Sequence, residues 1–150
     1  MSEHPVEVLI SVAQRFVEAY RLGHKSVEVR RRRLNVPPRT RIWIYGKLPL
    51  GRVELVGRIE RTIVGSPENI WKSVGTLTSL TRREFFEYFE GCDSACAILI
   101  GELKELVEKP TLSHLRRGNR AFQPPQFAKF LKREDHVYRI LAAAELGVSD

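Results

Sequence analysis

The 150-residue sequence contains only two cysteines, one methionine and no long apolar run. Two cysteines exclude a disulfide-dense secreted scaffold. The longest apolar runs, such as residues 95–100, are far shorter than the roughly 20 residues that span a bilayer. The amino terminus lacks a basic stretch followed by an apolar core, which argues against a signal peptide. We therefore expect one cytoplasmic domain over residues 1–150, with no membrane contact.

Phosphate-binding loops and metal-ligand motifs are also missing. The ten glycines do not have the spacing of a dinucleotide-binding or phosphate-binding loop. The four histidines are scattered, and Cys92 and Cys96 do not have the usual spacing of a zinc knuckle. The sequence also lacks the Gly-x-Ser-x-Gly motif that would indicate a serine nucleophile. The sequence therefore predicts neither a metal ion nor a cofactor.

Acidic residues are scarce in two segments of the chain. The formal net charge is +7, but residues 21–47 alone hold nine Lys or Arg against one Glu. Residues 111–133 hold six basic residues and no acidic one, so these two segments carry +14 while the rest carries −7. Concentrated positive charge attracts polyanions, above all nucleic acids. The alternative is a set of solvated side chains paired with acidic residues elsewhere.

Hydrophobic periodicity predicts strands interleaved irregularly with short helices. Alternating or β-branched stretches favour strands over residues 6–12, 26–32, 41–45, 52–64 and 95–106, with a bulge or bend at Gly57. Helices are expected over residues 13–22 and 66–74, after a capping box at Thr81 and Glu84, and over about 124–146. This order predicts an α+β domain around a compact, partly closed sheet. Its core is expected to span about residues 6–131.

The densest group of reactive side chains lies at Lys25, Glu28 and Arg30. On a regular strand Glu28 and Arg30 share one face, and Lys25 can join them only from the turn before the strand. Glu28 could orient the two cations while they bind phosphate. Alternatively, a desolvated Lys25 could act as a base or nucleophile with Glu28 as its catalytic partner. A structural ion pair at a strand entrance is the third interpretation.

The spacing of Gly23, Lys25, Glu28 and Arg30 after a strand and a helix resembles the signature of the ASCH domain family. The likeness continues through residues 41–45, 57–59, 65–71, 81–91, 97–100 and 124–126, and covers roughly residues 6–131. The resemblance implies a compact β-barrel related to the PUA domains of RNA-modifying proteins. It also implies an RNA-linked function, with a cleft beside the signature.

The same resemblance raises two enzymatic alternatives. Some family members resemble amidohydrolases that act on acetylated cytidine through a lysine, a threonine and a glutamate. Lys25 matches the lysine, whereas Glu28 stands where the threonine is expected. Glu54 and Glu60 are both candidates for the remaining carboxylate. Other members are described as ribonucleases, and no motif in the chain decides for or against that activity.

The first hypothesis is an RNA-binding module, and the second is a small hydrolase acting on RNA or a modified nucleoside. A third is a domain that docks on an acidic protein. The partner expected is RNA, with DNA and a nucleoside as open alternatives. Trp43 and Tyr45 share one face of a strand, where they could stack on bases or fill a second side of the barrel wall. The candidate nucleic-acid-binding residues are Lys25, Glu28, Arg30, Arg31, Arg32, Trp43, Tyr45, Lys47, Arg116, Arg117 and Arg120.

Overall fold

The computed structural model describes residues 6–147 as one six-stranded sheet with helices on its faces. The strands are β1 (Glu7–Val12), β2 (Val27–Arg30), β3 (Arg41–Gly46), β4 (Arg52–Gly65), β5 (Ala95–Glu105) and β6 (Lys129–Leu131). The helices are α1 (Gln14–Arg21), α2 (Pro67–Val74), α3 (Arg82–Tyr88), α4 (Leu112–Leu115) and α5 (His136–Leu146), with a short 3-10 helix at Gly75–Leu77. The α+β class predicted from the sequence is confirmed.

The strands lie in the order β2-β5-β4-β3-β1-β6. β1 and β3 are parallel, and the other neighbouring pairs are antiparallel. The register of β4 against β5 shifts at Gly57, where a side chain would come within 2.8 Å of the Gly101 carbonyl oxygen. The predicted bulge at this glycine is confirmed, and it bends the long β4–β5 pair.

Local sequence signals explain where the helices begin and end. The Ser66 side chain accepts a hydrogen bond from the Asn69 amide, with Pro67 at the first helical position of α2. Thr81 and Glu84 form both hydrogen bonds of the predicted capping box. Gly147 ends α5 in the left-handed conformation, at φ 74°. Within residues 6–147, no helix combines the length and apolar character needed to cross a bilayer.

Alternation along the strands gives the sheet two buried faces. Val8 and Ile10 pack on one face with α1, whereas Leu9 and Trp43 pack on the other face with α5. A third cluster packs α2 and α3 against β2 and β5 around Phe85. Because one face of β1 and β3 is covered by α1 and the other by α5, polar side chains reach solvent mainly at the strand ends.

Two predictions about the fold need correction. The backbone hydrogen bonds leave β2 and β6 as the two edges, so the sheet is not closed into the predicted barrel. The C-terminal helix begins at His136 rather than near residue 124, because residues 129–131 form β6 and pair with β1. Apolar residues at 127, 130 and 131 resembled a helical stripe, but they belong to an extended segment and an edge strand.

Candidate nucleic-acid interface

The side chains of Lys25, Glu28 and Arg30 form a buried ionic cluster. Lys25 lies before β2, and its Nζ atom is 3.5 Å from the Glu28 Oε1 atom. The Arg30 Nη2 atom is 2.8 Å from Glu28 Oε2. This is the arrangement that strand parity predicted, with Val27 and Val29 on the opposite face against α3. The three residues are only 3%, 8% and 9% exposed.

Further contacts fix the cluster from α1 and from the segment after the 3-10 helix. Lys25 Nζ donates a hydrogen bond to the Thr78 carbonyl at 2.6 Å, and the Tyr20 hydroxyl donates to Glu28 at 3.0 Å. Burial lowers the pKa of Lys25, although Glu28 acts in the opposite direction. Burial, reinforced by the Glu28 carboxylate, raises the pKa of Tyr20 well above its ordinary value. Glu28 therefore receives three donors inside the protein.

Arg30 connects the two edges of the open sheet through its side chain. Nη1 donates to the carbonyl oxygens of Gln126 and Phe127, both at 3.3 Å, and Nη2 donates to the Ser11 carbonyl at 3.2 Å. These acceptors lie at the end of β1 and just before β6, whereas Arg30 ends β2. The guanidinium is thus largely engaged by backbone oxygens and Glu28. Arg30 is therefore buried, and it is not the exposed cation that the run of four arginines suggested.

A cavity of about 220 Å³ lies directly beside the ionic cluster, and we call it the inner cavity. Lys25, Glu28 and Arg30 line it together with Ser11 and Lys47. Its apolar lining includes Phe16, Leu80 and Tyr88. The signature residues therefore face a concave site and not a convex, solvated surface.

A second cavity of about 620 Å³, the outer cavity, shares Ser11 and Lys47 with the inner one. Tyr45 and Lys47 from the first basic segment line it together with the neighbouring Leu48, as do Leu112 and the stretch Pro124, Pro125 and Gln126 from the second. Both basic segments therefore contribute to one cleft, which the sequence alone left open. This cleft lies at the carboxyl ends of the parallel strands β1 and β3.

Three exposed cations of the first basic segment, Lys47, Arg31 and Arg32, form no ion pair among residues 6–147. Lys47 lies where the two cavities meet. Arg31 donates to the Tyr88 carbonyl and stacks on its ring at 4.5 Å, and Arg32 stacks on Phe127 at 4.6 Å. Both residues stay exposed while aromatic rings position their guanidinium groups.

The candidates of the second basic segment differ in their availability. Arg116 is held by the Phe122 carbonyl and the Gln123 side chain, both at 2.9 Å. Arg117 and Arg120 are exposed. They belong to the stretch between Leu112 and Pro124, which both line the outer cavity. Arg117 and Arg120 are therefore more available to an anion than Arg116.

The two aromatic candidates of β3 are core residues. Trp43 is 1% exposed, packs under α5 and donates from Nε1 to the Glu7 carboxylate at 2.7 Å, so the prediction that it offers a free stacking face is wrong. Tyr45 lines the outer cavity but is only 3% exposed, so it presents an edge rather than an open ring. The alternative, that these rings fill a second side of the sheet, holds for Trp43.

The two carboxylates proposed to complete an amidohydrolase set do not line the inner cavity. Glu54 is fully buried in an ion pair with Arg21 at 2.7 Å, and Glu60 is exposed beside Gly101. In residues 6–147, no group of three His, Cys, Asp or Glu side chains could hold a metal ion. Lysine, arginine, glutamate and hydroxyl groups are therefore the chemistry available at the cleft.

Sequence reasoning missed Ser11 and Tyr88. Ser11 lines both cavities, and its buried Oγ atom has no hydrogen-bond partner among the described residues. It reads as one more position in a β-strand, and its only signal is that a polar residue interrupts an apolar run. Tyr88 sits within an aromatic helix stripe that otherwise predicts core. In the structure, Tyr88 nevertheless lines the inner cavity.

Comparison with known proteins identifies relatives over most of the chain. An ASCH domain-containing ribonuclease from Zymomonas mobilis is 31% identical over 129 residues, which cover 86% of each chain. The crystal structure of ASCH from Zymomonas mobilis matches with a TM-score of 0.84 and 30% identity, covering 91% of this chain and 94% of that one. A mutant of that protein matches with a TM-score of 0.85 and 29% identity, covering 95% and 98%. No family profile matches. The identity, the coverage and the shared fold establish that this chain belongs to the ASCH domain family.

Proposed function

We propose that this protein binds RNA in the cleft formed by the inner and outer cavities and cleaves it as a ribonuclease. The observation that carries this proposal is the meeting of the two cavities at Lys47, an exposed cation without an acidic partner among residues 6–147, beside a buried ionic cluster. A polyanion entering there gains from cations that no carboxylate neutralises. The name of the 31% identical relative supports the same activity.

Single-stranded RNA suits the cleft better than a duplex. The outer cavity has a volume of about 620 Å³ and the inner cavity about 220 Å³, and apolar and aromatic side chains line both. Unpaired bases can leave the stack and pack against such surfaces, whereas a duplex is contacted mainly along its backbone. Arg31, Arg32, Arg117 and Arg120 would follow the phosphates on either side of the cleft.

Cleavage would use the 2′-hydroxyl of the RNA itself. Its oxygen would attack the adjacent phosphorus, the bond from phosphorus to O5′ would break, and a 2′,3′-cyclic phosphate and a 5′-hydroxyl would result. Lys47 would stabilise the charge that develops on the phosphoryl oxygens. Lys25 and Glu28 line the inner cavity and are the candidates for moving the proton from O2′ and supplying one to O5′.

The amidohydrolase alternative has weaker support. Lys25 lines a small cavity, as that activity would require. Glu28 occupies the position expected for threonine, and neither Glu54 nor Glu60 lines the cavity. The arrangement therefore favours RNA over an acetylated nucleoside as the substrate.

Binding and cleavage of a labelled single-stranded oligoribonucleotide test the proposal, with the same sequence as DNA in a parallel arm. We expect RNA affinity that falls with salt, and fragments ending in a cyclic phosphate. Lys47→Ala should reduce the slope of log K against log salt by about 0.7, the contribution of one phosphate contact to a single strand. Lys72→Ala, which removes an exposed lysine on α2 away from both cavities, should leave the slope unchanged. Absence of RNA binding at low salt would overturn the proposal.

A further inference from the structure

The ionic cluster beneath the inner cavity has an excess of positive charge. Lys25 and Arg30 each carry one positive charge, and Glu28 is the one carboxylate that pairs with them in residues 6–147. A buried charge without a counter-charge is costly, because water no longer solvates it and nothing replaces the water. The cluster would therefore become more stable if an anion entered the adjacent cavity.

Two buried polar atoms on residues that line this cavity lack a hydrogen-bond partner in the part of the chain that the structure describes. They are the Ser11 Oγ atom and the Arg30 Nε atom. Such atoms are rare in folded proteins, since an unsatisfied buried donor costs about 1–3 kcal/mol. Both atoms carry a hydrogen that an anionic oxygen can accept. The excess positive charge and the two donors without a partner therefore both favour an anionic ligand.

We propose that the inner cavity is a binding site for a phosphate group. This inference rests on the proposed function in one respect, namely that RNA is the natural source of the phosphate. Phosphate offers several acceptor oxygens and between one and two negative charges, which match the Nε–H donor of Arg30 and the excess charge. Phe16, Leu80 and Tyr88 leave an apolar wall for the attached sugar or base. Lys47 stands at the entrance, where the inner cavity joins the outer one.

The assignment also gives the signature residues separate roles. Glu28 holds the two cations in place and limits the excess to one charge. Arg30 reaches the cavity while its Nη atoms tie the Pro124–Gln126 wall to β1 and β2. Lys25 is tied to the Thr78 carbonyl and supplies charge from below. Phosphate would thus be recognised by a preformed site, whereas the exposed arginines outside would act mainly through long-range attraction.

Thermal unfolding in sodium phosphate, against sodium chloride of equal ionic strength, tests the site without RNA. Phosphate should raise the midpoint with concentration, as a ligand of the native state does. Ser11→Ala should weaken phosphate binding about tenfold, the effect of losing a hydrogen bond to a charged group. Ser73→Ala removes an exposed hydroxyl on α2 and should change nothing. Glu28→Gln removes the carboxylate that competes with phosphate, so a folded Glu28→Gln protein should bind phosphate more tightly. If this variant does not fold, the comparison of Ser11→Ala with the wild type still tests the site.

Oligoribonucleotides of one sequence with a 5′-phosphate, a 3′-phosphate or hydroxyl ends then identify the source. Tighter binding of one phosphorylated end assigns the site to a terminal phosphate, whereas equal binding that free phosphate competes away assigns it to an internal one. RNA binding without any phosphate-specific stabilisation would overturn this inference and leave the proposed function standing. Phosphate binding that depends on Ser11, in a protein that does not bind RNA, would support the site and overturn the proposed function.

Discussion

The two ends of the parallel pair β1 and β3 both carry a cavity lined by cations, but the cations differ in how they pair with carboxylates. At the carboxyl ends lie the two joined cavities with Ser11 and Lys47. At the amino ends lies a cavity of about 340 Å³ lined by three arginines, Arg39, Arg41 and Arg58, and by Glu7. Arg39 pairs with Glu102, and Arg41 pairs with Glu145 and lies 3.7 Å from Glu7.

This difference separates positive charge in a sequence from positive potential at a surface. Arg39, Arg41 and Lys47 all belong to the basic segment 21–47, and counting gives them equal weight. Carboxylates from β5 and α5 neutralise the first two, whereas Lys47 meets none within residues 6–147. The amino end is therefore interpreted as a structural ion-pair network, and the carboxyl end is the surface that we propose to bind anions.

Removing one carboxylate at each end should produce the largest contrast. Glu28→Leu leaves two cations buried without a counter-charge and should lower the free energy of unfolding by about 3–5 kcal/mol. Glu145→Leu at the amino end frees Arg41 and Lys104, which are more exposed and can be hydrated, so we expect a loss of about 1 kcal/mol. Urea unfolding of both variants measures the contrast. Equal losses would show that the two networks do not differ in desolvation.

Trp43 gives a smaller effect that separates stability from binding. Trp43→Phe removes the hydrogen bond to Glu7 at the amino end, and we expect a loss of about 1.5–3 kcal/mol in the free energy of unfolding. RNA affinity, measured by fluorescence anisotropy below the unfolding transition, should not change because the ring is covered by α5. Weaker RNA binding by this variant would show that Trp43 contributes to the RNA interface.

Arginines at the two ends should differ in the salt dependence of RNA binding. Replacing Arg117 and Arg120 together with alanine should lower the slope of log K against log salt by about 1.4, or two phosphate contacts. The matched replacement of Arg39 and Arg58 removes the same charge from the amino end and should leave the slope unchanged. The experiment measures affinity at several salt concentrations. Equal slopes for both double variants would show that RNA does not distinguish the two ends.

Local patterns predicted much of the fold because their causes lie within a few residues. The bulge at Gly57, the capping box at Thr81 and the position of Lys25 before β2 follow from backbone conformation and strand parity. The covering of Trp43 by α5 could not be predicted, because alternation defines two faces but not the layer that packs on each. The engagement of Arg30 by Gln126 and Phe127 depends on residues 96 and 97 positions away in the chain. Ser11 could not be identified as a site residue from the sequence, because its role depends on the two cavities that it lines.

The two ends should also fail at opposite extremes of pH. At the carboxyl end, burial and Glu28 raise the pKa of Tyr20, so the folded state keeps a proton that the unfolded state loses above pH of about 10. The contribution of Tyr20 to stability therefore falls as pH rises through that range, whereas the lowered pKa of Lys25 acts in the opposite direction. At the amino end, hydrogen bonds from Lys104 and Arg41 outweigh burial and lower the pKa of Glu145, so its contribution is lost as pH falls.

Tyr20→Phe isolates the alkaline half of this contrast. The variant lacks the hydrogen bond to Glu28 and should be less stable than the wild type near neutral pH. Its deficit should shrink as pH rises above about 10, because phenylalanine has no proton to retain. Burial also raises the pKa of Tyr45, but that residue is present in both proteins and its contribution cancels in the difference. Urea unfolding at a series of alkaline pH values measures the difference in the free energy of unfolding between the two proteins. A difference that does not change with pH would show that burial and Glu28 do not raise the pKa of Tyr20.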